Sequence, residues 1–247
     1  MKLDRNVPRK PRLVGGVKGH NMKRDYLTGK PRPVAGELHL QKILKELRTY
    51  RERKALIDPG HTALLVIDMQ NYFHQIIQPV LDNILEVIQS CRKTNIPIIF
   101  TQHGHTDPAS DGGLLGKWWG QMIIDGTEDW KFLSEIKIEP EDTVLPKKRY
   151  SAFFETDLEK MLRSRGIQDL IISGVMTNLC CETTARDAFV RDYRVFFLID
   201  GTATGRSDLH LATLKNLGFG FAFLITTEEL TKMLKTSEEL TKMLKTS

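Results

Sequence analysis

Three short segments carry side chains suited to nucleophilic chemistry at a carbonyl group. Asp68 lies in VIDMQNYF, Lys147 and Lys148 lie in VLPKKRY, and Cys180 and Cys181 lie in GVMTNLCCETT. A cysteine thiolate attacks carbonyl carbons, and a carboxylate can take the thiol proton and return it to a leaving amine. A lysine ammonium nearby would stabilise the thiolate. These residue types therefore indicate acyl transfer, provided that the fold brings the three segments together.

The surrounding pattern alternates short apolar strands with helical stretches. The predicted strands are residues 62–69, 97–103, 143–146, 169–175, 194–200 and 221–226, and the predicted helices are residues 37–54, 79–93, 155–166, 178–192 and 207–217. Strands that are apolar at nearly every position are typical of a parallel sheet covered on both faces. The pattern predicts an α/β fold, a single domain with a doubly wound parallel β-sheet flanked by helices.

The predicted sheet brings the three segments to one edge. In a doubly wound sheet, reactive groups collect at the carboxyl ends of the strands. Asp68 and Lys147 each end a predicted strand, and Cys180 lies where the helix after another strand begins. A cysteine at a helix N-terminus feels the positive end of the helix dipole, which lowers its thiol pKa. We therefore expect an acid, a base and a reactive thiol at one edge of the sheet.

Positive charge is concentrated near the N-terminus. Residues 1–58 contain 16 Lys and Arg against 6 Asp and Glu, a net charge of +10, whereas the whole chain carries +5. Residues 1–36 are rich in Pro, Gly and basic residues without a sustained period, which predicts a basic extended arm. Residues 37–58 form an amphipathic helix and linker. No stacking pattern or nucleic-acid motif accompanies the charge, so solvent or a partner subunit is the expected neighbour of the arm.

Cysteine content and hydropathy restrict the compartment. The chain has three cysteines, and the third, Cys91, lies in an amphipathic helical pattern. Three cysteines form no disulfide framework, so we expect reduced thiols and a cytoplasmic protein. No apolar run approaches the roughly 20 residues that a membrane helix needs, so no membrane association is expected.

Three sequence blocks resemble the isochorismatase-like cysteine hydrolases. The blocks are LLVIDMQNYF, LPKKRYSAFFETDLEKMLRSRGI and LIISGVMTNLCCETTARDAF. Within the family the sequence is most similar to the ureidoacrylate and ureide amidohydrolase type. The resemblance implies a hydrolase domain over residues 59–237, no cofactor, and a small amide, ureide or carbamoyl substrate that is cleaved at a C–N bond. It also implies a homo-oligomer.

The resemblance also resolves the two residue pairs. The family's lysine block has the form Lys-x-Arg-Tyr-Ser-x-Phe, which places the functional lysine at Lys147. Its cysteine block has the form Thr-x-x-Cys-Val-x-x-Thr, which makes Cys180 the nucleophile and leaves Cys181 at the usual valine position. Asp68 is then the acid and base of the catalytic triad. The oxyanion hole implied by the family consists of the backbone N–H groups of Met176 and Cys180 and depends on a cis peptide bond before Met176.

Further residues are candidates for contact with the substrate or a metal. The possible substrate contacts are Gln70, Asn71, His103, Trp119, Tyr150 and Phe153. The segment HGHTD suggests a metal site because two His residues and an Asp can ligate zinc. Related nicotinamidases bind a metal through an Asp-x-His pair and a further His, a pattern that this sequence lacks at that place, so no metal is expected. Nicotinamidase and a catalytically silent scaffold remain the alternatives.

The C-terminal sequence contains an identical repeat. EELTKMLKTS occupies residues 228–237 and again residues 238–247. Ten residues rotate a helix by about 1000°, or about 280° after full turns, so the two Leu/Met stripes would face different directions. Each copy follows a Thr-x-x-Glu capping signal, starting at Thr226 and Thr236. The pattern predicts that a separate helix restarts in the second copy.

Overall fold

Six parallel strands form one sheet in the computed structural model, which describes residues 37–246. The strands are β1 (Thr62–Ile67), β2 (Ile98–His103), β3 (Thr143–Lys147), β4 (Asp169–Val175), β5 (Arg194–Ala203) and β6 (Phe223–Ile225). Their order is β3-β2-β1-β4-β5-β6, and every neighbouring pair is parallel. The predicted doubly wound sheet is confirmed. The arm predicted for residues 1–36 lies outside the described residues.

Helices cover both faces of the sheet. The α-helices are α1 (Glu37–Glu46), α2 (His74–Ile77), α3 (Leu81–Lys93), α4 (Pro108–Asp111), α5 (Gly113–Trp119), α6 (Leu158–Ser164), α7 (Glu182–Phe189), α8 (Ser207–Gly220) and α9 (Thr227–Thr246). Short 3₁₀ helices lie at Arg48–Tyr50, Pro59–His61, Asn71–Phe73 and Gln78–Val80. The first helix is shorter than the predicted 37–54. No helix in this part of the chain is long and apolar enough to cross a membrane.

Two apolar clusters, one on each face, explain the uninterrupted apolar strands. Leu64 and Val66 of β1 pack in a cluster that includes α3 and α9. Ala63, Leu65 and Ile67 pack in the opposite cluster, which includes α1, α6, α7 and α8. Because both faces are covered, all six residues of β1 are buried. Full burial on both faces is what makes such a strand apolar at every position.

The first strand ends two residues earlier than the sequence pattern predicts. Asp68 directly follows β1 and has φ 51°, in the left-handed region. This backbone conformation breaks the extended strand and is uncommon for a residue other than glycine. Met69 and Gln70, although buried, therefore belong to the turn after the strand. The turn carries the Asp68 side chain at the carboxyl edge of the sheet.

The repeated decapeptide does not form two helices. One continuous helix, α9, runs from Thr227 to Thr246, so the predicted restart after Thr236 is wrong. The first capping signal is real: Glu229 N donates to Thr226 Oγ1 (3.2 Å), and Thr226 N donates to Glu229 Oε2 (2.9 Å). Thr236 Oγ1 instead donates to Lys232 O (3.1 Å), one turn earlier. A helix that continues already satisfies the N–H groups that a new cap would serve.

Candidate active site

The carboxyl ends of β1, β3 and β4 place the three predicted segments together. Strand β1 is the point at which the sheet reverses its winding, since it pairs with β2 on one side and β4 on the other. Asp68 follows β1, Lys147 ends β3, and the turn that carries Cys180 follows β4. Such a switch point leaves a crevice outside the strand ends in which ligands bind. The sequence reasoning located the edge, and the strand order adds the switch point.

Lys147 joins the acid and the thiol. Its Nζ atom lies 2.7 Å from Asp68 Oδ2, and both side chains are 0% exposed. The same Nζ lies 3.4 Å from Cys180 Sγ and donates to Arg149 O (3.0 Å). The second carboxylate oxygen, Asp68 Oδ1, accepts from Thr101 Oγ1 (2.6 Å). Every charged group of this centre therefore has a polar partner, as burial requires.

The resting thiol does not have the low pKa that the sequence pattern predicts. Burial raises the pKa of Cys180 to about 12; the ammonium of Lys147 opposes that rise, and the carboxylate of Asp68 adds to it. Burial lowers the pKa of Lys147, but its interactions with the Asp68 carboxylate and with Cys180 outweigh this effect and hold that pKa above its ordinary value. A thiol, an ammonium and a carboxylate keep the buried centre neutral. A thiolate would add an uncompensated charge.

The nucleophile turn, residues 177–181, is a single π-helical turn rather than the start of an α-helix. Cys181 N donates to Met176 O (3.2 Å), five residues back. The predicted helix 178–192 is therefore this turn followed by α7. The Val175–Met176 peptide bond is cis, as the family resemblance implies. Cys181 is fully buried in the apolar cluster beside α7, and its burial raises its thiol pKa well above the ordinary value.

Hydrogen bonds hold the lysine segment against α7. Ser151 Oγ donates to Asp187 Oδ2 (2.5 Å), and Ala152 N donates to Thr184 Oγ1 (3.0 Å). Thr184 is the last residue of the family's cysteine block, so it links the two blocks in space. These bonds fix the distance between the end of β3 and the helix after Cys180.

Sequence reasoning missed Thr101, which bonds the catalytic carboxylate. Besides donating to Asp68 Oδ1, Thr101 Oγ1 accepts from Asp68 N (3.1 Å). The sequence does contain a signal for this bond, because Thr101 is a hydroxyl residue that directly follows the apolar residues IIF in β2. A fully buried hydroxyl in such a strand requires a polar partner.

Two of the predicted substrate contacts, Gln70 and Asn71, bond the protein backbone in this structure. Gln70 is fully buried. Its Nε2 donates to the carbonyl oxygens of His103 and Trp130, and its Oε1 accepts from His103 N. Both amide hydrogens are used, so the geometry assigns Gln70 to holding the loop that contains Trp130. Asn71 Nδ2 likewise donates to Glu128 O (2.9 Å).

The three aromatic residues predicted to contact substrate have different surroundings. Trp119 Nε1 donates to Tyr150 OH (2.7 Å), and Tyr150 is close enough to Cys180 for the two groups to interact electrostatically. Burial raises the pKa of Tyr150. Phe153 is buried in the core and stacks on Tyr193. The contact of Phe153 with substrate stays a prediction, and in this structure its ring is part of the core.

His103 and His105 lie beside the group formed by Asp68, Lys147 and Cys180. Their rings are 5.2 Å apart and nearly perpendicular, and both residues are buried. His105 Nδ1 bonds Asp111 Oδ1 (2.9 Å), whereas His103 Nδ1 has no hydrogen-bond partner. Burial, followed by the charge of Lys147, lowers the pKa of His103 to about 3. Among the described residues, no three His, Cys, Asp or Glu side chains lie close enough to hold a metal ion.

An open apolar groove lies beside Tyr150. Its volume is about 470 Å³, and its lining residues are Leu114, Leu115, Trp118, Arg149, Tyr150, Ser151, Phe154 and Thr183. Leu114 is 75% exposed and Trp118 is 71% exposed. The two adjacent tryptophans have different surroundings: Trp118 lines this groove, and Trp119 bonds Tyr150.

The fold and the site together define a doubly wound α/β protein with a buried cysteine, lysine and aspartate at the sheet's switch point. The Isochorismatase domain matches residues 62–229. The chain therefore belongs to the isochorismatase family, as the three sequence blocks predict.

Named relatives include hydrolases of two substrate types. Nicotinamidase 3 of Arabidopsis thaliana is 46% identical over 190 residues, which cover 76% of this chain and 96% of the relative. Ureidoacrylate amidohydrolase RutB of Pseudomonas savastanoi pv. phaseolicola is 34% identical over 203 residues, with 69% and 82% covered. The ureide type is therefore one of the similar types, and a nicotinamidase matches at higher identity.

A solved structure agrees with the fold. The cysteine hydrolase from Pseudomonas syringae pv. phaseolicola 1448A aligns with a TM-score of 0.71 and 26% sequence identity. The alignment covers 74% of this chain and 97% of that protein.

Proposed function

We propose that this protein is a cysteine amidohydrolase that cleaves a C–N bond of a small amide through a thioester on Cys180. The observation that carries the proposal is the buried contact of one ammonium, Lys147 Nζ, with both Asp68 Oδ2 and Cys180 Sγ. This arrangement supplies a nucleophile, a proton acceptor and a fixed positive charge. These are the groups that acyl transfer through a thiol requires.

The first half of the reaction forms the thioester. The thiol proton of Cys180 passes to Asp68 while sulfur bonds to the amide carbonyl carbon. Since the resting thiol has a pKa of about 12, proton transfer accompanies attack rather than preceding it. The N–H groups of Met176 and Cys180 stabilise the oxyanion. Asp68 then returns the proton to the leaving nitrogen, the C–N bond breaks, and ammonia or an amine departs.

The second half of the reaction hydrolyses the thioester and releases the carboxylic acid product. Asp68 takes a proton from water as the water oxygen attacks the thioester carbonyl carbon. The C–S bond breaks, the carboxylic acid product leaves, and the proton held by Asp68 returns to sulfur. Lys147 stays charged throughout and offsets the negative charge that moves between sulfur and the carboxylate. The sum of the two halves is hydrolysis of one amide bond by one water molecule.

Nicotinamide is the first substrate to test, because the chain is 46% identical to a protein named Nicotinamidase 3. The sequence lacks the metal-binding pattern of the related nicotinamidases, but the 46% sequence identity to Nicotinamidase 3 outweighs that difference. Ureidoacrylate is the second candidate, supported by the 34% identity to a ureidoacrylate amidohydrolase. Both substrates present a planar C–N bond to the thiol.

Ammonia release tests the proposal. The full chain is incubated with nicotinamide, ureidoacrylate, biuret and N-carbamoyl amino acids, with Cys180→Ser as the matched control. We expect release from at least one compound by the native chain and none by the variant. If the native chain releases no ammonia from any of them, the proposal is wrong and the silent scaffold becomes the better description.

We also propose a cytoplasmic homo-oligomer. The three cysteines are free thiols, which suits a reducing compartment. The exposed Leu114 and Trp118 form an apolar surface of the kind that subunits cover. Sedimentation velocity should show a species larger than one chain, and a monomer at every concentration would contradict the oligomer.

A further inference from the structure

A buried hydrogen bond connects the nucleophile turn to a helix behind it. Thr177 Oγ1 and His210 Nδ1 lie 2.9 Å apart, and both residues are 0% exposed. His210 belongs to α8, which follows β5. We infer that His210 is a positioning residue for the proposed hydrolysis: through the Thr177 hydroxyl it fixes the turn that carries Cys180. This inference rests on the proposed function for its effect on turnover.

Thr177 lies between the two residues whose N–H groups form the proposed oxyanion hole. It directly follows Met176 and is the first residue of the π-helical turn that contains Cys180. The proposed oxyanion donors therefore lie on either side of it, one residue before and three residues after. A rotation of Thr177 about its backbone would move both N–H groups as well as Cys180 Sγ.

The state of the His210 ring defines the direction of the bond. Burial lowers the pKa of His210 to about 4, so the ring is neutral at neutral pH. The backbone carbonyl of Ile199 lies near the ring, although Nε2 makes no hydrogen bond of good geometry. A neutral imidazole carries one N–H and one lone pair. Both tautomers can make this bond: Nδ1 accepts from the Thr177 hydroxyl when the proton is on Nε2, and it donates to the hydroxyl oxygen when the proton is on Nδ1.

A second bond from the same region supports the anchor. Thr204 Oγ1, just after β5, donates to Asn178 Oδ1 (2.6 Å). Two residues that follow β5 thus hold the first two residues of the turn: His210 in α8 bonds Thr177, and Thr204 in the connection bonds Asn178. Thr177 and His210 therefore hold the turn that carries the reacting groups.

The test uses two pairs of variants. Thr177→Val keeps the side-chain shape and removes the hydroxyl, whereas Thr177→Ser keeps the hydroxyl. His210→Ala removes the ring nitrogen that bonds Thr177, whereas His210→Asn places a polar atom near the position of Nδ1. All four are made in a Cys181→Val background so that Cys180 is the alkylated thiol of the turn. Circular dichroism establishes that each variant folds, and Thr177→Val decides the outcome if His210→Ala does not.

Two measurements are made on each variant. Turnover of the substrate found in the amide panel should fall about tenfold in kcat for Thr177→Val and His210→Ala, with KM within about threefold, since the loss falls on the transition state. The second measurement is the rate of Cys180 alkylation by iodoacetamide at pH ~9. This rate should change by at least about threefold in the same two variants, because a displaced sulfur no longer has the burial and the Lys147 contact that set its reactivity. Thr177→Ser and His210→Asn should match the parent in both measurements.

The two proposals fail in different ways. A parent enzyme that hydrolyses no amide contradicts the proposed function, and the alkylation rate still decides the positioning role. An alkylation rate in Thr177→Val within about threefold of the parent rate overturns the inference. A fall in melting temperature with unchanged kcat and alkylation rate also overturns it, since the bond would then contribute to stability alone.

Discussion

The Nζ atom of Lys147 lies 2.7 Å from Asp68 Oδ2 in a place where neither side chain reaches solvent. Burying such a pair costs desolvation free energy that the mutual attraction offsets only when further hydrogen bonds are present. Here Thr101 and the carbonyl of Arg149 provide them, and Cys180 Sγ completes the set. A charged pair kept in the interior beside a thiol is typical of a reactive site.

The lysine pair gives a matched test of this arrangement. Lys147→Met should lower kcat/KM by about 10³-fold, because it removes the charge that faces the thiolate in the transition state. Lys148 is half-exposed and pairs with Asp111 (2.9 Å), so Lys148→Met should stay within about threefold, as expected for a surface ion pair. Steady-state kinetics on folded variants measure both. Equal losses would show that the assignment of Lys147 is wrong.

The sheet and the residues at its edge could be predicted from sequence because their signal is local. A strand buried on both faces is rich in apolar side chains, and β1, β2 and β4 are each fully buried around an apolar run. Polar residues directly after such runs, including Asp68, then lie at the carboxyl edge by topology alone.

The chemistry at the edge was less predictable because it depends on three-dimensional burial. A helix N-terminus predicts a low thiol pKa for Cys180, but full burial beside the Asp68 carboxylate reverses the sign. The bond between Thr177 and His210 joins residues 33 positions apart, and no local pattern contains it. The backbone bonds of Gln70 and the stacking of Phe153 on Tyr193 also lie outside any local pattern, because sequence does not reveal what surrounds a side chain.

The two adjacent cysteines should differ completely in function. Cys180→Ser should keep the fold and reduce hydrolysis at least about 10³-fold, since a serine hydroxyl is a poorer nucleophile than a thiol at this centre. Cys181→Val should change the free energy of unfolding by less than about 1.5 kcal/mol, because it exchanges two small apolar groups in a packed core. Urea denaturation and ammonia release measure these effects. Activity that survives in Cys180→Ser would refute the proposed nucleophile.

The alkylation of Cys180 should depend on pH in a defined direction. Burial raises the thiol pKa to about 12, so little thiolate is present at neutral pH in the substrate-free site. The rate of reaction with iodoacetamide, followed by mass spectrometry, should keep rising above pH ~9, beyond the ordinary thiol range of about 8.5. A plateau below pH ~8 would contradict the raised pKa. Cys91, also buried and with its pKa raised to about 12, provides the comparison.

Two buried histidines should make the protein less stable in mild acid. The pKa values are lowered to about 3 for His103 and about 4 for His210, against about 6.5 in the unfolded chain. Between pH ~6.5 and ~4 the unfolded chain binds protons that the folded chain does not. The free energy of unfolding therefore decreases as the pH is lowered, by at most about 1.4 kcal/mol per pH unit for each ring.

His103→Asn isolates one of these rings. Urea denaturation between pH ~4.5 and ~7.5 should give a shallower fall in unfolding free energy for this variant than for the native chain. The exposed His74, changed to Asn, is the control for removing a histidine as such. If native and His103→Asn chains lose stability with the same slope, His103 takes up its proton in the folded protein and the lowered pKa is wrong.

The C-terminal repeat offers two identical capping signals in different surroundings. Thr226 exchanges hydrogen bonds with Glu229 at the start of α9, and Glu229 also pairs with Arg51. Thr226→Ala should therefore lower the free energy of unfolding by about 1 kcal/mol, the usual effect of losing an N-cap. Thr236 is exposed within the continuous helix, so Thr236→Ala should be neutral or stabilise by up to about 0.5 kcal/mol, because alanine favours helix. Urea denaturation compares the two variants; equal losses would mean that a second helix begins after Thr236 in solution.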